Sequence, residues 1–177
     1  KNFHSFDILL AENFYKIDNF KKAKKIYKDL SKKGEAFKWY SSKQIARIYV
    51  REENNEKAVK LISDVYKDLN FKEIYEIFDF AEFLKNNEKF EKSISYYTDV
   101  LNLINQNHPL YSEVTDGRGV AYERIGEWDK AEKDLLASLS ANPNQAYVIN
   151  YLAYSWIEKG VKIEKSLNML KKANKLK

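Results

Sequence analysis

Small residues return along this chain at a nearly fixed interval, set among large apolar residues. They form two interleaved series, with intervals of 35, 35, 38 and 34 residues in the first and 35, 35, 38 and 35 in the second. Two series that share one period indicate an internal repeat of five copies. The first series is Ala11, Ala46, Ala81, Gly119 and Ala153, and the second is Ala23, Ala58, Ser93, Ala131 and Ser166.

Large residues keep the same register. Phe14, Tyr49, Leu84, Tyr122 and Trp156 follow the first series by three residues, and Tyr27, Ile62, Tyr97, Leu135 and Leu170 follow the second by four. Spacings of three and four place side chains on one face of an α-helix. Each repeat therefore predicts two amphipathic helices, A and B. The repeats run near 4–38, 39–73, 74–111, 112–145 and 146–177, with the extra residues of the third in the segment 105–109.

The segment between helices A and B also recurs. Each of the five linking segments offers a glycine, an asparagine or an aspartate: Asp18 and Asn19, Asn54 and Asn55, Asn86 and Asn87, Gly126, and Gly160. A helix commonly ends with one residue in the left-handed conformation, which these residue types tolerate best. We therefore expect one of them to hold that conformation in every turn.

The fourth and fifth repeats resemble the tetratricopeptide repeat family. The fourth repeat carries the resemblance on Gly119, Tyr122, Gly126, Trp128, Ala131, Leu135, Ser138 and Pro143, and the fifth on Leu152, Ala153, Trp156, Gly160, Ser166, Leu170 and Ala173. The resemblance covers the whole chain and implies an all-α, right-handed superhelical solenoid, one domain over 1–177, with helices A on the concave side. It is closest to bacterial members, several of them exported or membrane-attached, which favours a periplasmic or membrane-associated setting over a cytoplasmic one. The first helix is apolar nearly all round, and Lys177 stands where the family places a proline, so neither end resembles the polar cap of a solenoid. We therefore expect a segment of a longer protein, or ends that a partner covers.

Composition narrows the function classes. The chain has no cysteine, a net charge of +5, and no apolar run of the ~18 residues that a membrane span needs. Its two histidines, His4 and His108, lie in different repeats with no carboxylate at ligand spacing, and no glycine-rich phosphate loop occurs. We therefore expect no metal, no cofactor and no enzymatic activity. Glu82, Glu113, Asp116 and Glu123 are interpreted as a solvated acidic wall instead of paired catalytic carboxylates.

The resemblance places the binding surface on the concave side, on helices A. The predicted groove residues are Tyr147, Asn150, Tyr151, Tyr154, Asp116, Glu123, Lys43 and Arg47. Three of them, Tyr147, Tyr151 and Tyr154, form a stripe along one helix, and tyrosine is a frequent anchor in protein interfaces. The expected function is therefore a scaffold that binds a peptide or a partner protein in the groove.

Two other functions stay open. A helical period of 35 residues with positive net charge is also typical of RNA-binding helical repeats, but the acidic residues of the third and fourth repeats make nucleic acid an unlikely ligand. The other alternative is an architectural module that self-assembles through its apolar ends. The family's carboxylate clamp is broken, because Asp79 and Glu113 stand where an asparagine and a lysine are expected.

Overall fold

The computed structural model describes residues 3–70 and 72–176, and this part of the chain contains ten α-helices and no strand. They are α1 (Phe3–Lys16), α2 (Phe20–Leu30), α3 (Glu35–Arg51), α4 (Asn55–Asp68), α5 (Ile74–Asn86), α6 (Phe90–Leu103), α7 (Tyr111–Arg124), α8 (Trp128–Ala141), α9 (Ala146–Glu158) and α10 (Ile163–Lys175). Odd-numbered helices are the A helices and even-numbered helices are the B helices. None of the described helices has the length and apolar character to cross a membrane.

The contacts divide the chain into two compact units, Lys1–Lys72 and Glu73–Lys177. The first unit holds two helical hairpins, α1–α2 and α3–α4, and the second holds three, α5–α6, α7–α8 and α9–α10. The predicted repeat count is therefore confirmed, while the single domain over 1–177 stays a prediction. The units differ in charge: the first has 17 basic and 10 acidic residues, and the second has 14 basic and 16 acidic residues.

Both small-residue series lie where helices cross, and all ten positions are buried. Gly119 shows how close the crossing is, because a Cβ added there would lie 3.0 Å from Leu135 Cγ and 3.2 Å from the carbonyl oxygen of Ala131. A larger side chain at such a position would force the helices apart. The predicted register is confirmed.

Each unit buries side chains that neighbouring hairpins supply together. In the first unit, Ile45 and Ile48 of α3 join the cluster that Ala11, Tyr27 and Leu30 form in the first hairpin. In the second unit, the large residues Leu135, Leu152 and Trp156 are fully buried in one cluster of α8 and α9. Burial of a side chain of this size stabilises the fold by about 2–3 kcal/mol. No hairpin therefore completes its core alone.

All five turns from helix A to helix B close with the same two backbone hydrogen bonds. In the first, the N–H of Asn19 donates to the carbonyl of Phe14 and the N–H of Asp18 donates to Tyr15. The later turns repeat the longer bond from Asn54 to Tyr49, from Lys89 to Leu84, from Glu127 to Tyr122 and from Val161 to Trp156. This is the Schellman arrangement, which needs one left-handed residue in the turn.

The residue that takes the left-handed conformation differs from the prediction in two turns. Asp18, Gly126 and Gly160 hold it as expected, but Glu53 (φ 57°) and Glu88 (φ 60°) hold it in the second and third turns. The hydrogen bonds fix the position, and the asparagines lie beside it. There the side chain of Asn54 accepts the backbone N–H of Lys57 at the start of α4, and Asn87 donates to the carbonyl of Phe83. Capping and turn closure are thus divided between neighbouring residues.

One helix begins earlier than its repeat was expected to, and one turn is longer than the others. Helix α3 begins at Glu35, four residues before the predicted repeat boundary, directly after Gly34, which has a φ of 135°. The fifth turn is one residue longer than the other four, because α10 begins at Ile163 and Lys162 is left-handed as well as Gly160. This additional residue lies after the Schellman bonds have closed. The extra residues of the third repeat lie between α6 and α7, as predicted.

Candidate binding face of the A helices

In the second unit, the A helices α5, α7 and α9 place the predicted tyrosines and carboxylates beside one another. Tyr147 and Tyr154 lie on α9 with 62% and 58% of their surface exposed, while Leu152, Ala153 and Trp156 of the same helix are fully buried. Tyr151 lies between the two exposed tyrosines, and its ring centroid is 5.9 Å from that of Tyr147. We call the surface formed by Glu82, Lys85, Glu113, Asp116, Glu123, Tyr147, Tyr151 and Tyr154 the acidic aromatic face.

Tyr151 is tied to the fold more strongly than its two neighbours. Its hydroxyl donates to Glu123 Oε2 at 2.9 Å, and its ring packs against the buried cluster around Leu135 and Trp156. Burial, followed by the hydrogen bond to Glu123, raises the pKa of the Tyr151 hydroxyl. Tyr151 thus joins α9 to α7, and the exposed surface of the stripe belongs to Tyr147 and Tyr154. Asn150, also predicted for the groove, is half-buried on α9.

Glu82 of α5 is held by two donors. The Tyr97 hydroxyl donates to Glu82 Oε1 in a short hydrogen bond, and Lys85 Nζ lies 2.8 Å and 3.0 Å from the two carboxylate oxygens. Gly117 of α7 leaves the space for this pair, because a Cβ there would lie 2.6 Å from the Tyr97 hydroxyl oxygen and 2.8 Å from Glu82 Oε1. Burial and the neighbouring Glu82 charge raise the pKa of Tyr97, so this hydroxyl keeps its proton.

Asp116 corrects the expectation of a uniformly solvated acidic wall. Its Oδ1 atom is buried and has no hydrogen-bond donor in the described chain. Burial raises its carboxyl pKa to about 6, with Lys85 acting in the opposite direction and Glu82 and Glu113 adding to the rise. A carboxylate in this setting is ionised at neutral pH only against a free-energy cost. Glu113 is therefore a solvated carboxylate of this wall, whereas Asp116 is partly buried.

The charge of Asp116 acts on the exposed Tyr147. Partial burial, followed by the charge of Asp116, raises the pKa of the Tyr147 hydroxyl, and Glu82 adds a smaller contribution. Arg124 acts in the opposite direction and lies 3.7 Å from Glu123 Oε2. The acidic aromatic face thus brings together five of the predicted groove residues, which are Asp116, Glu123, Tyr147, Tyr151 and Tyr154.

The two predicted residues of the first unit have contacts within that unit. Arg47 Nη2 lies 2.8 Å from Glu12 Oε2, and its guanidinium lies over the Tyr15 ring at 3.9 Å. The Tyr27 hydroxyl donates to the other oxygen of Glu12 at 2.6 Å. Lys43 Nζ lies 5.7 Å from the centroid of the Trp39 ring. Ligand binding by Lys43 and Arg47 stays a prediction.

A tyrosine–glutamate pair that the repeat pattern did not predict occurs in the first and third repeats. Tyr27 donates to Glu12 in the first unit, and Tyr97 donates to Glu82 in the second. Both tyrosines and both glutamates are 70 residues apart, so a search at twice the repeat period finds the pair.

A polar cavity of about 610 Å³, which the sequence pattern did not predict, lies where the α6–α7 connection meets the end of α8. Gln106, His108, Ser140 and Asn142 are among its lining residues. In the described chain, no cluster of histidine and carboxylate side chains has the arrangement of a metal site.

Comparisons with known proteins identify the fold. No protein-family model matches the sequence, and no curated protein matches it. The solved structure MamA MSR-1 C2 aligns with a TM-score of 0.68 at 20% identity, over 97% of this chain and 95% of that one. MamA 41-end from Desulfovibrio magneticus RS-1 aligns with a TM-score of 0.74 at 11% identity, over 99% and 96%. The chain therefore has an all-α, tetratricopeptide-like helical repeat fold, as its pattern predicts.

Proposed function

We propose that this chain is a protein-interaction scaffold, not an enzyme, and that it binds a peptide or a partner protein on its A helices. The observation that carries the proposal is the exposure of Tyr147 and Tyr154 on a helix whose other face is fully buried. Tyrosine combines a large apolar ring with a hydroxyl and loses little rotamer entropy on binding, so an exposed pair is suited to an interface. The carboxylates of α7 beside them add polar contacts.

The face is also well prepared for binding. Tyr151 is fixed by Glu123, and Glu82 is fixed by Tyr97 and Lys85, so the surface around the exposed tyrosines is ordered before a partner arrives. A preorganised surface loses less conformational entropy on association. These contacts support a binding role for the face as a whole.

Selection from a random dodecapeptide library displayed on phage, with the full chain immobilised, tests the proposal. We expect peptides to be enriched and to bind as synthetic, fluorescein-labelled peptides in an anisotropy titration. Changing Tyr147 and Tyr154 together to alanine should weaken that binding by about tenfold or more, as loss of interface anchors does. Tyr151 is left unchanged because it also packs against the core.

The matched control changes two exposed apolar residues of the B helices, Leu103 and Leu136, to alanine. We expect this control to bind the selected peptides like the unchanged chain. Helix content by circular dichroism should be the same in all three proteins. Failure to enrich any peptide, or equal binding by the tyrosine variant and the unchanged chain, would refute the proposed function.

Self-association is a second candidate function, favoured by a different observation. Helix α1 exposes 67% of Phe6 and 61% of Leu9. Exposed apolar side chains of this size are typical of surfaces that another molecule covers. Sedimentation equilibrium tests it: the unchanged chain should associate reversibly, and Leu9→Ser should weaken association. A chain that stays monomeric over the whole concentration range would exclude this candidate.

A further inference from the structure

The acidic aromatic face has more carboxylates than its own cations neutralise. Lys85 bonds both oxygens of Glu82, and Arg124 lies beside Glu123. Asp116 and Glu113 form no ion pair in the described part of the chain. Glu113 is exposed, and Asp116 is partly buried with its Oδ1 atom out of contact with solvent. Negative charge is thus concentrated on α7, next to the exposed Tyr147 of α9.

The Oδ1 atom of Asp116 is an acceptor of this face that lacks a hydrogen-bond donor among the residues that the structure describes. It is buried, it accepts no hydrogen bond, and Glu82 and Glu113 add negative charge around it. An ionised carboxylate in such surroundings gains more from a cationic donor than a solvated one does, because the local dielectric is lower. A neutral or acidic partner would leave this atom without compensation or increase the repulsion.

The first unit contains the corresponding tyrosine–glutamate pair, Tyr27 and Glu12, with an arginine beside it. There the Arg47 guanidinium bonds Glu12 and stacks on the Tyr15 ring at 3.9 Å. In the register of the small residues, Val120 takes the place of Arg47 in the fourth repeat, and Asp116 takes the place of Lys43. In the second unit Lys85 of α5 takes over the pairing with Glu82, the counterpart of Glu12, so the carboxylates of this face left without an ion pair within the described ranges are Glu113 and Asp116 of α7.

We propose that the acidic aromatic face docks an arginine or lysine side chain of a partner polypeptide. The cationic group lies against Asp116 and Glu113, and the aliphatic stem lies along the ring of Tyr147. Charge complementarity selects this partner chemistry, and the exposed tyrosine supplies the apolar contact for the stem. This inference rests on the proposed function, because it names the kind of partner that the binding face accepts.

The same peptide selection tests the inference when the sequences of the selected peptides are compared with the naive library. We expect an excess of arginine and lysine, and replacement of those residues by norleucine in a synthetic peptide should weaken binding about tenfold. Binding should also weaken as salt is added, because exposed charges are screened. Binding of selected peptides that lack basic residues and show no salt dependence would overturn the inference while leaving the proposed function intact.

Two variants of equal charge locate the site. Changing Glu113 to glutamine and Asp116 to asparagine should weaken binding of the basic peptides about tenfold. Changing Asp99 to asparagine and Glu91 to glutamine removes the same charge from exposed positions of α6, a B helix, and should leave binding within about twofold. Equal loss in both variants would show a general charge effect and contradict the site.

The remaining outcomes are also decisive. Enrichment of no peptide at all would refute the proposed function, and the inference with it. A dimer that the Glu113 and Asp116 changes dissociate, as seen by sedimentation, would show that a second copy of the chain occupies the face, and would overturn the assignment to a separate partner.

Discussion

Replacement of Asp116 by asparagine should stabilise the protein at neutral pH. The carboxyl is largely buried, Oδ1 has no donor, and the pKa of the group is raised to about 6. Asparagine has nearly the same shape and no charge, so it removes the cost of holding a carboxylate in this place. The charged or titratable groups that act on it are Glu82 and Lys85 of α5, Glu113 of α7, Tyr97 of α6 and Tyr147 of α9.

The size of the effect follows from the pKa. A rise from the ordinary value of 3.8 to about 6 corresponds to about 3 kcal/mol when the group is fully ionised. Because the group keeps some contact with solvent, we expect about 2 kcal/mol at pH 7.5. The folded state takes up the proton at higher pH than the unfolded state does. The advantage of the variant therefore shrinks as the pH falls through 6 and disappears near 4.

Urea unfolding followed by circular dichroism at 222 nm, repeated from about pH 4 to 8, measures the difference in the free energy of unfolding. Taking the difference between the variant and the unchanged chain cancels the other titrating groups. Asp99→Asn, at an exposed position of α6, is the matched control and should change stability by less than about 0.5 kcal/mol at every pH.

A variant that is less stable than the unchanged chain at pH 7.5, or a stability difference that does not change with pH, would contradict this expectation. Lower stability would mean that the ionised carboxylate gains more from Lys85 than it loses by burial. A flat difference would mean that the group titrates at the same pH in the folded and unfolded states.

Three further changes test the packing of the second unit by the same unfolding assay. Ala131→Leu should cost about 1–3 kcal/mol, because the residue is fully buried at a close helix crossing, and unchanged stability would mean that the register is misassigned. Gly117→Ala should cost about 1–2 kcal/mol, because the new Cβ would clash with the Tyr97 hydroxyl. Combining it with Tyr97→Phe should recover part of that loss, and a purely additive result would exclude the clash. Arg118→Ala should cost about 3–5 kcal/mol, because it leaves the carboxylate of Asp134 buried without its partner. Asp134 is 5% exposed and accepts from the guanidinium at 2.6 Å and 2.9 Å. A loss below about 1 kcal/mol would show that the pair is well solvated.

The fold could be predicted from the sequence because its determinants are steric and periodic. Where two helices cross closely, only a small residue fits between them, and ten such positions share one period in the sequence. The turns were predicted less completely. Their left-handed position follows from backbone hydrogen bonds, and Glu53 and Glu88 hold it at a cost of about 1 kcal/mol each without leaving a glycine or asparagine there.

The sequence predicts which site residues share a face within one helix, but not the contacts between helices. Periodicity places Tyr147, Tyr151 and Tyr154 on one stripe, but it does not show that Tyr151 bonds Glu123 across to α7. Similarly, Arg47 of α3 bonds Glu12 of α1. The sequence pattern of one helix does not show how that helix is rotated relative to another. Burial of Asp116 depends on how α5, α7 and α9 meet, so its raised pKa could only be found in the assembled structure.

The fifth turn offers a position for protein engineering. Its Schellman bonds close at Gly160 and Val161, and Lys162 then turns the chain into α10 with a second left-handed residue. The turn therefore already contains one residue more than the hairpin needs. An epitope tag or a labelled loop inserted between Val161 and Lys162 would begin after the last bond of α9 and end before the first turn of α10. A reporter placed there would lie outside the predicted binding residues of α9.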